Sequence, residues 1–167
     1  IDKDDKIQSP YLDNRLGIYM LLEAAKEIQN GIIAFTCFEE HFSGGVEKVV
    51  KVIYENYMVY KFIINDITAT SEGIKLDKGI VISLRDAVIP RRNLIDKMIE
   101  FSEEKSIPYQ LEVEDHGASD GAGIQRSVYP VDWCFIGIAV ENMHSDQEIA
   151  SKKDMQKLID FYKLLMK

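Results

Sequence analysis

The chain has 167 residues, enough for one domain with a sizeable core. A hydrophobic fraction of 46% and an aromatic fraction of 10% exclude a disordered chain. With 20 Lys and Arg against 28 Asp and Glu, the net charge is −8, which argues against a nucleic-acid backbone as partner. A carboxylate surplus of this kind suits metal ions or simple surface solubility.

The opening "IDKDDKIQSP" carries no methionine and no signal peptide, and the expectation is a processed, trimmed or incompletely recorded N-terminus. Next, "NRLGIYMLLEAAKEIQN" places Leu16, Met20 and Ala24 at helical spacing, with Asn30-Gly31 as a stop signal. "GIIAFTCF" reads as a buried strand that ends in the pair Glu39 and Glu40. "GGVEKVVKVIYENY" is a helix with Val46, Val49, Val50 and Ile53 on one face. Two strands follow, "MVYKFIINDITA" and "GIVISLR". The helix "RNLIDKMIEFSEEKS" turns Leu94, Met98 and Phe101 inward. "IPYQLEVE" is a strand, and "HGASDGAGI" is a glycine-rich turn into a short helix. A buried strand, "DWCFIGIAV", and a closing amphipathic helix, "KKDMQKLIDFYKLLMK", complete the chain.

Strands alternate with helices, and several strands are apolar continuously, so both their faces are expected to be covered. The fold class is α/β: a three-layer α/β/α sandwich on a mostly parallel mixed sheet, forming one domain over residues 1–167. The longest apolar run, Trp133 to Val140, has the length of a strand, so no membrane span is expected. Cys37 and Cys134 both lie in apolar runs and read as buried free thiols of a reducing, cytoplasmic compartment.

Ligands of open α/β sheets sit at the carboxyl ends of strands. The polar residues that fall there are Glu39 and Glu40, then Asp66, then Asp115, His116 and Asp120, then Glu141, Asn142 and His144, with Asp13 just before the first helix. Carboxylates and imidazole on one edge suit divalent metals. Taken singly, each has a plainer reading. Asp13 is an N-cap, adjacent glutamates are solvated, Asp66 makes an Asx turn, and a loop histidine is structural. "GASDGAG" lacks the form of a phosphate-binding loop and reads as a tight turn.

Together, "YLDNRLG", "FEEHFSGGV", "INDITAT", "GASDGAG" and "ENMHSDQE", in this order, resemble the M42 family of metallo-aminopeptidases, the glutamyl and tetrahedral aminopeptidase group. The resemblance runs from about Ser9 to the C-terminus. It implies that Asp13 bridges two metal ions, zinc or cobalt, with Glu40 and His144 completing one site and Asp66 binding the second metal. Glu39 would be the general base or acid. Hydrolysis would follow a two-metal, glutamate-assisted attack of water, with a peptide as substrate. In extended chain, neighbouring side chains point in opposite directions, which would give Glu39 and Glu40 their unlike tasks.

The resemblance also marks what is missing. The family's remaining ligand, a histidine in a His-x-Asp stretch, lies upstream of the first motif. None of the three histidines here stands in that context, so the second metal would have only Asp13 and Asp66. The expectation is an N-terminally incomplete catalytic domain, with two metals or only one. A sheet edge left open by absent strands predicts homo-oligomerisation. Two rivals stand beside the aminopeptidase reading: a non-catalytic metal-binding or interaction module of the same fold, and a related carboxypeptidase or deacylase.

Overall fold

The computed structural model describes residues 2–41, 44–114 and 116–167, with residues 2 and 3 by backbone alone. Its elements in chain order begin with strands β1 (Asp2–Lys3) and β2 (Lys6–Ser9), helix α1 (Leu12–Ala24) and helix α2 (Val46–Tyr57). Then come strands β3 (Lys61–Ile64), β4 (Ile67–Ala69) and β5 (Ile80–Arg85). Helix α3 (Arg92–Glu104), strand β6 (Tyr109–Val113) and helix α4 (Gly121–Arg126) follow. Strands β7 (Asp132–Glu141) and β8 (Glu148–Ser151) and helix α5 (Lys152–Leu165) close the chain.

The eight strands form one mixed sheet around β7. On one side of β7 lie β3 and then β4, both parallel to it. On the other side lie β5, antiparallel, and further along β8, also antiparallel. β6 pairs parallel to β5, while β8, β2 and β1 extend the sheet as antiparallel neighbours. This is the α/β architecture the alternating pattern predicts, with a mixed sheet that is less parallel than expected: three of its ladders are parallel and four antiparallel among the described residues.

Side-chain alternation along β7 divides the core. Cys134, Ile136, Ile138 and Val140 join the layer packed by α1, α3 and α5. Trp133 and Phe135 face the layer of Val46 and Val50 from α2 and Ile124 from α4. Eight of the ten β7 residues are buried, as expected of a strand covered on both faces. The helical faces read from sequence are the packed ones: Leu16, Met20 and Ala24 on α1, and Val46, Val50 and Ile53 on α2, are all buried.

Four features depart from expectation. The predicted strand over residues 31–38 does not form: no ladder includes it, and Ile32, Phe35 and Phe38 are exposed. An apolar run becomes a strand only when a neighbour offers it hydrogen bonds, and no described strand pairs with this one. For the same reason Cys37 is exposed, whereas Cys134 is buried; both are free. Helix α1 stops at Ala24, six residues before Asn30, because the chain leaves it to dock on α5: the Gln29 and Asn30 N–H groups donate to the Met166 carbonyl. The single run expected over 58–69 is divided into β3 and β4 by Asn65 and Asp66.

Among the described residues no helix is long and apolar enough to cross a membrane.

Candidate metal centre

The break between β3 and β4 is the first positioning device. Gly137 on β7 lies directly beneath it: a Cβ there would stand 1.9 Å from the Asp66 carbonyl oxygen. Only glycine lets the Asp66 backbone come so close. The Asp66 side chain folds back so that its Oδ1 accepts from the Ile67 N–H at 2.9 Å.

The second device is an asparagine pair that ties this break to the start of α1. Asn14 Nδ2 donates to the Asn65 carbonyl, Asn65 Nδ2 donates to the Gly17 carbonyl, and Asn14 Oδ1 accepts from the Gly17 N–H, each at 2.9 Å. These bonds fix α1 against the β3–β4 break, and with it Asp13 beside Asp66. The Asp13–Asn14 peptide bond is cis, and both residues have non-helical backbone angles inside α1. Asp13 lies inside the span of α1, whose N-cap is Tyr11, and does not cap the helix. Its carboxylate turns instead to His144, whose Nε2 lies 3.0 Å from Asp13 Oδ2.

His144 reaches the site from the loop after β7, in left-handed backbone conformation. Its Nε2 is 3.8 Å from Glu40 Oε2. Asp13, Glu40 and His144 thus each offer one ligand atom, all within 4.8 Å of one another. Glu39 and Glu40 do not end an extended strand. They sit in a 3-10 turn, Glu39–His41, after Phe38 at φ 68°. The strict alternation of an extended chain therefore does not set their directions. Their surroundings still differ: Glu40 is exposed, whereas Glu39 is half-buried.

Beside this cluster opens a cleft of about 520 Å³, lined by Asp13, Glu39, Glu40, Asp66 and Asp120 among others. Asp120, in the glycine-rich turn, is buried and accepts from the Thr36 hydroxyl at 2.6 Å. Placed by sequence among the strand-end polar residues, in a stretch read as a tight turn, it enters the cleft as a further carboxylate. Of the remaining polar residues, Glu141, Asn142, His41 and His116 are exposed and line no part of the cleft, and Asp115 lies outside the described residues.

Crowding shows in the acidities. Burial, then the neighbouring Glu40, pushes the Glu39 carboxyl up to about 7. Burial and Glu40 also raise Asp13, against the opposing pull of His144. Asp66 is raised well above the usual carboxylate range by burial and then by Asp13. Carboxylates held together against their own repulsion and desolvation are relieved by a cation. Two carboxylates with one imidazole form a donor set that suits zinc, cobalt or manganese, so the residues present fit a divalent metal.

Fold and cleft together define an α/β domain whose acidic cleft fits a divalent metal. Comparison then gives the family: residues 1–161 match the family described as M42 glutamyl aminopeptidase, and the chain belongs to it. It is 29% identical over 167 residues to a protein of Acetivibrio thermocellus named "Putative aminopeptidase", covering 93% of this chain and 49% of that one. Its fold is similar to that of aminopeptidase APDkam598 from the archaeon Desulfurococcus kamchatkensis, with TM-score 0.90, 21% identity, and 99% and 50% of the two chains covered. The TET1 peptidase of Pyrococcus horikoshii, which can assemble into a tetrahedron or a large octahedral shell, gives TM-score 0.84 and 25% identity, with 96% and 50% covered. The chain thus spans about half the length of the relatives it matches.

Proposed function

We propose that this chain carries the greater part of a metal-dependent aminopeptidase site that removes N-terminal residues from peptides. The observation that carries the reading is the convergence of Asp13, Glu40 and His144 within 4.8 Å, on a cleft that also holds Glu39 and Asp66, in a member of the M42 family.

Asp13, Glu40 and His144 would hold one divalent cation, zinc or cobalt, and Asp13 with Asp66 would contribute to a second. Bound there, such a cation supplies Lewis-acid polarisation of the scissile carbonyl and a more acidic water. Glu39 is the general base. Its carboxylate takes a proton from the attacking water and passes it to the leaving amine. The acidic lining favours a substrate with a free ammonium group, which suits an exopeptidase acting at an amino terminus.

Glu39→Gln is expected to abolish release of the N-terminal residue from an unblocked peptide, a loss of at least about 100-fold, with metal content unchanged. Full activity in that variant would remove Glu39 from the mechanism. N-acetylated peptides should be inert; their hydrolysis would favour a deacylase or carboxypeptidase. A second reading, one metal without turnover, draws on the three-ligand cluster. One equivalent of bound metal with no hydrolysis would establish it. The assembly of TET1 peptidase into shells supports homo-oligomerisation here, and the free thiols support a cytoplasmic setting.

A further inference from the structure

Glu148 is a carboxylate to which no role has been given, and only 2% of it is exposed. It opens β8, opposite Ser9 of β2 in the ladder, so it sits where the chain passes from β2 into α1. Its Oε2 accepts from the Leu12 N–H at 2.5 Å and the Asp13 N–H at 3.2 Å. Its Oε1 accepts from the His144 N–H at 2.8 Å. The first two donors are orphan amides at the N-terminus of α1, which has no side-chain cap of its own. The third fixes a loop residue held in left-handed conformation, which an L side chain seldom adopts.

One buried carboxylate therefore grips the backbone of both residues whose side chains meet at 3.0 Å, Asp13 and His144. They are brought together from opposite ends of the chain by a group that holds their backbone N–H groups. We infer that Glu148 is the positioning residue of the metal centre: it sets Asp13 and His144 side by side before any cation arrives. This rests on the metal-binding reading above, but its geometric half stands without it.

The test is Glu148→Gln, nearly the same in shape. An amide keeps one acceptor oxygen and turns an N–H₂ toward donors, so at least one of the three bonds is lost. Amide exchange at Leu12, Asp13 and His144 should accelerate together, by about tenfold or more for the loss of one such charge-assisted bond. Affinity for Co²⁺, read by competition with a chromophoric chelator, should fall about 10- to 100-fold. Asp154→Asn is the control. Asp154 is an equally buried carboxylate that accepts from the Asp77 and Gly79 N–H groups, at 2.7 and 2.8 Å, outside the cleft. It should lower the unfolding temperature yet leave Co²⁺ affinity alone.

Wild-type affinity in Glu148→Gln, or an equal loss in Asp154→Asn, overturns the inference. If the wild-type chain binds no Co²⁺, the metal reading fails, and the three amides alone decide whether Glu148 holds the two residues. Unchanged exchange there overturns the inference as well.

Discussion

Strand β7 and the extended segment 31–38 are both apolar runs, yet one is sealed on every side and the other lies open. β7 has hydrogen-bonded neighbours along both edges and helices over both faces. Segment 31–38 has none of these; among the described residues it joins no ladder, and Phe35 is 48% exposed. The nearby edge of β3 is open too. Asp132 N–H donates to the Tyr60 carbonyl, so in a parallel ladder Phe62 and Ile64 turn their backbone groups to β7 while Lys61 and Ile63 turn theirs away. An apolar run shows that a segment can be buried. Whether it becomes a strand depends on a partner elsewhere in the sequence.

Amide exchange should give the widest contrast. Phe62 and Ile64 should be protected up to the global stability of the domain, several orders of magnitude beyond Lys61, Ile63 and residues 31–37. Equal protection at Ile63 would mean that its edge is already paired. Truncation comes next. Ile136→Ala in β7, where the side chain is fully buried, should cost about 2–5 kcal/mol in urea unfolding. Phe35→Ala should cost only about 0.5 kcal/mol; a large loss at Phe35 would show that segment 31–38 carries core packing after all.

The smallest effect concerns pH. Glu112 is buried beside Thr68, whose hydroxyl donates to it at 2.6 Å, and burial raises its carboxyl above the ordinary value of 4.5. Between the unfolded and the raised folded value, the folded state binds the proton and the unfolded state does not. Stability from this group is therefore full below about pH 4.5 and falls as pH rises through the folded value. Asp13, Glu39 and Asp66 slope the same way. In chelator-treated protein, Glu112→Gln should make the decline above pH 4.5 less steep, without levelling it. An unchanged slope would show that Glu112 titrates alike in both states.

Much of the architecture was legible because periodicity reports burial directly. Met20, Val50 and Met98 stand where a 3.6-residue repeat puts them, and all are buried. The hairpin-like additions β1, β2 and β8 were not legible: strands of two to four residues leave too little pattern. Segment 31–38 misled because its composition fits a strand, whereas pairing is a property of two segments. At the site, residue types and order pointed to Asp13, Glu40 and His144, which the fold brings together. Local reading failed for Asp13, an N-cap by sequence, because its cap comes from Glu148, 136 residues beyond Leu12. No nearby spacing could announce that contact. Asp120 was placed at the strand ends by sequence, but its bond to Thr36, 84 positions upstream, was hidden in the same way.

The bond between Asp13 and His144 closes a span of 131 residues. Contacts between such distant positions form slowly, since nearly all the intervening chain must be ordered first. A ligand that bridges the two residues can therefore capture only the finished domain. By mass action it would act as a ratchet on folding, holding the product and leaving every half-built intermediate ungripped. A bound chromophoric ion would then serve as a clock for the last step of folding.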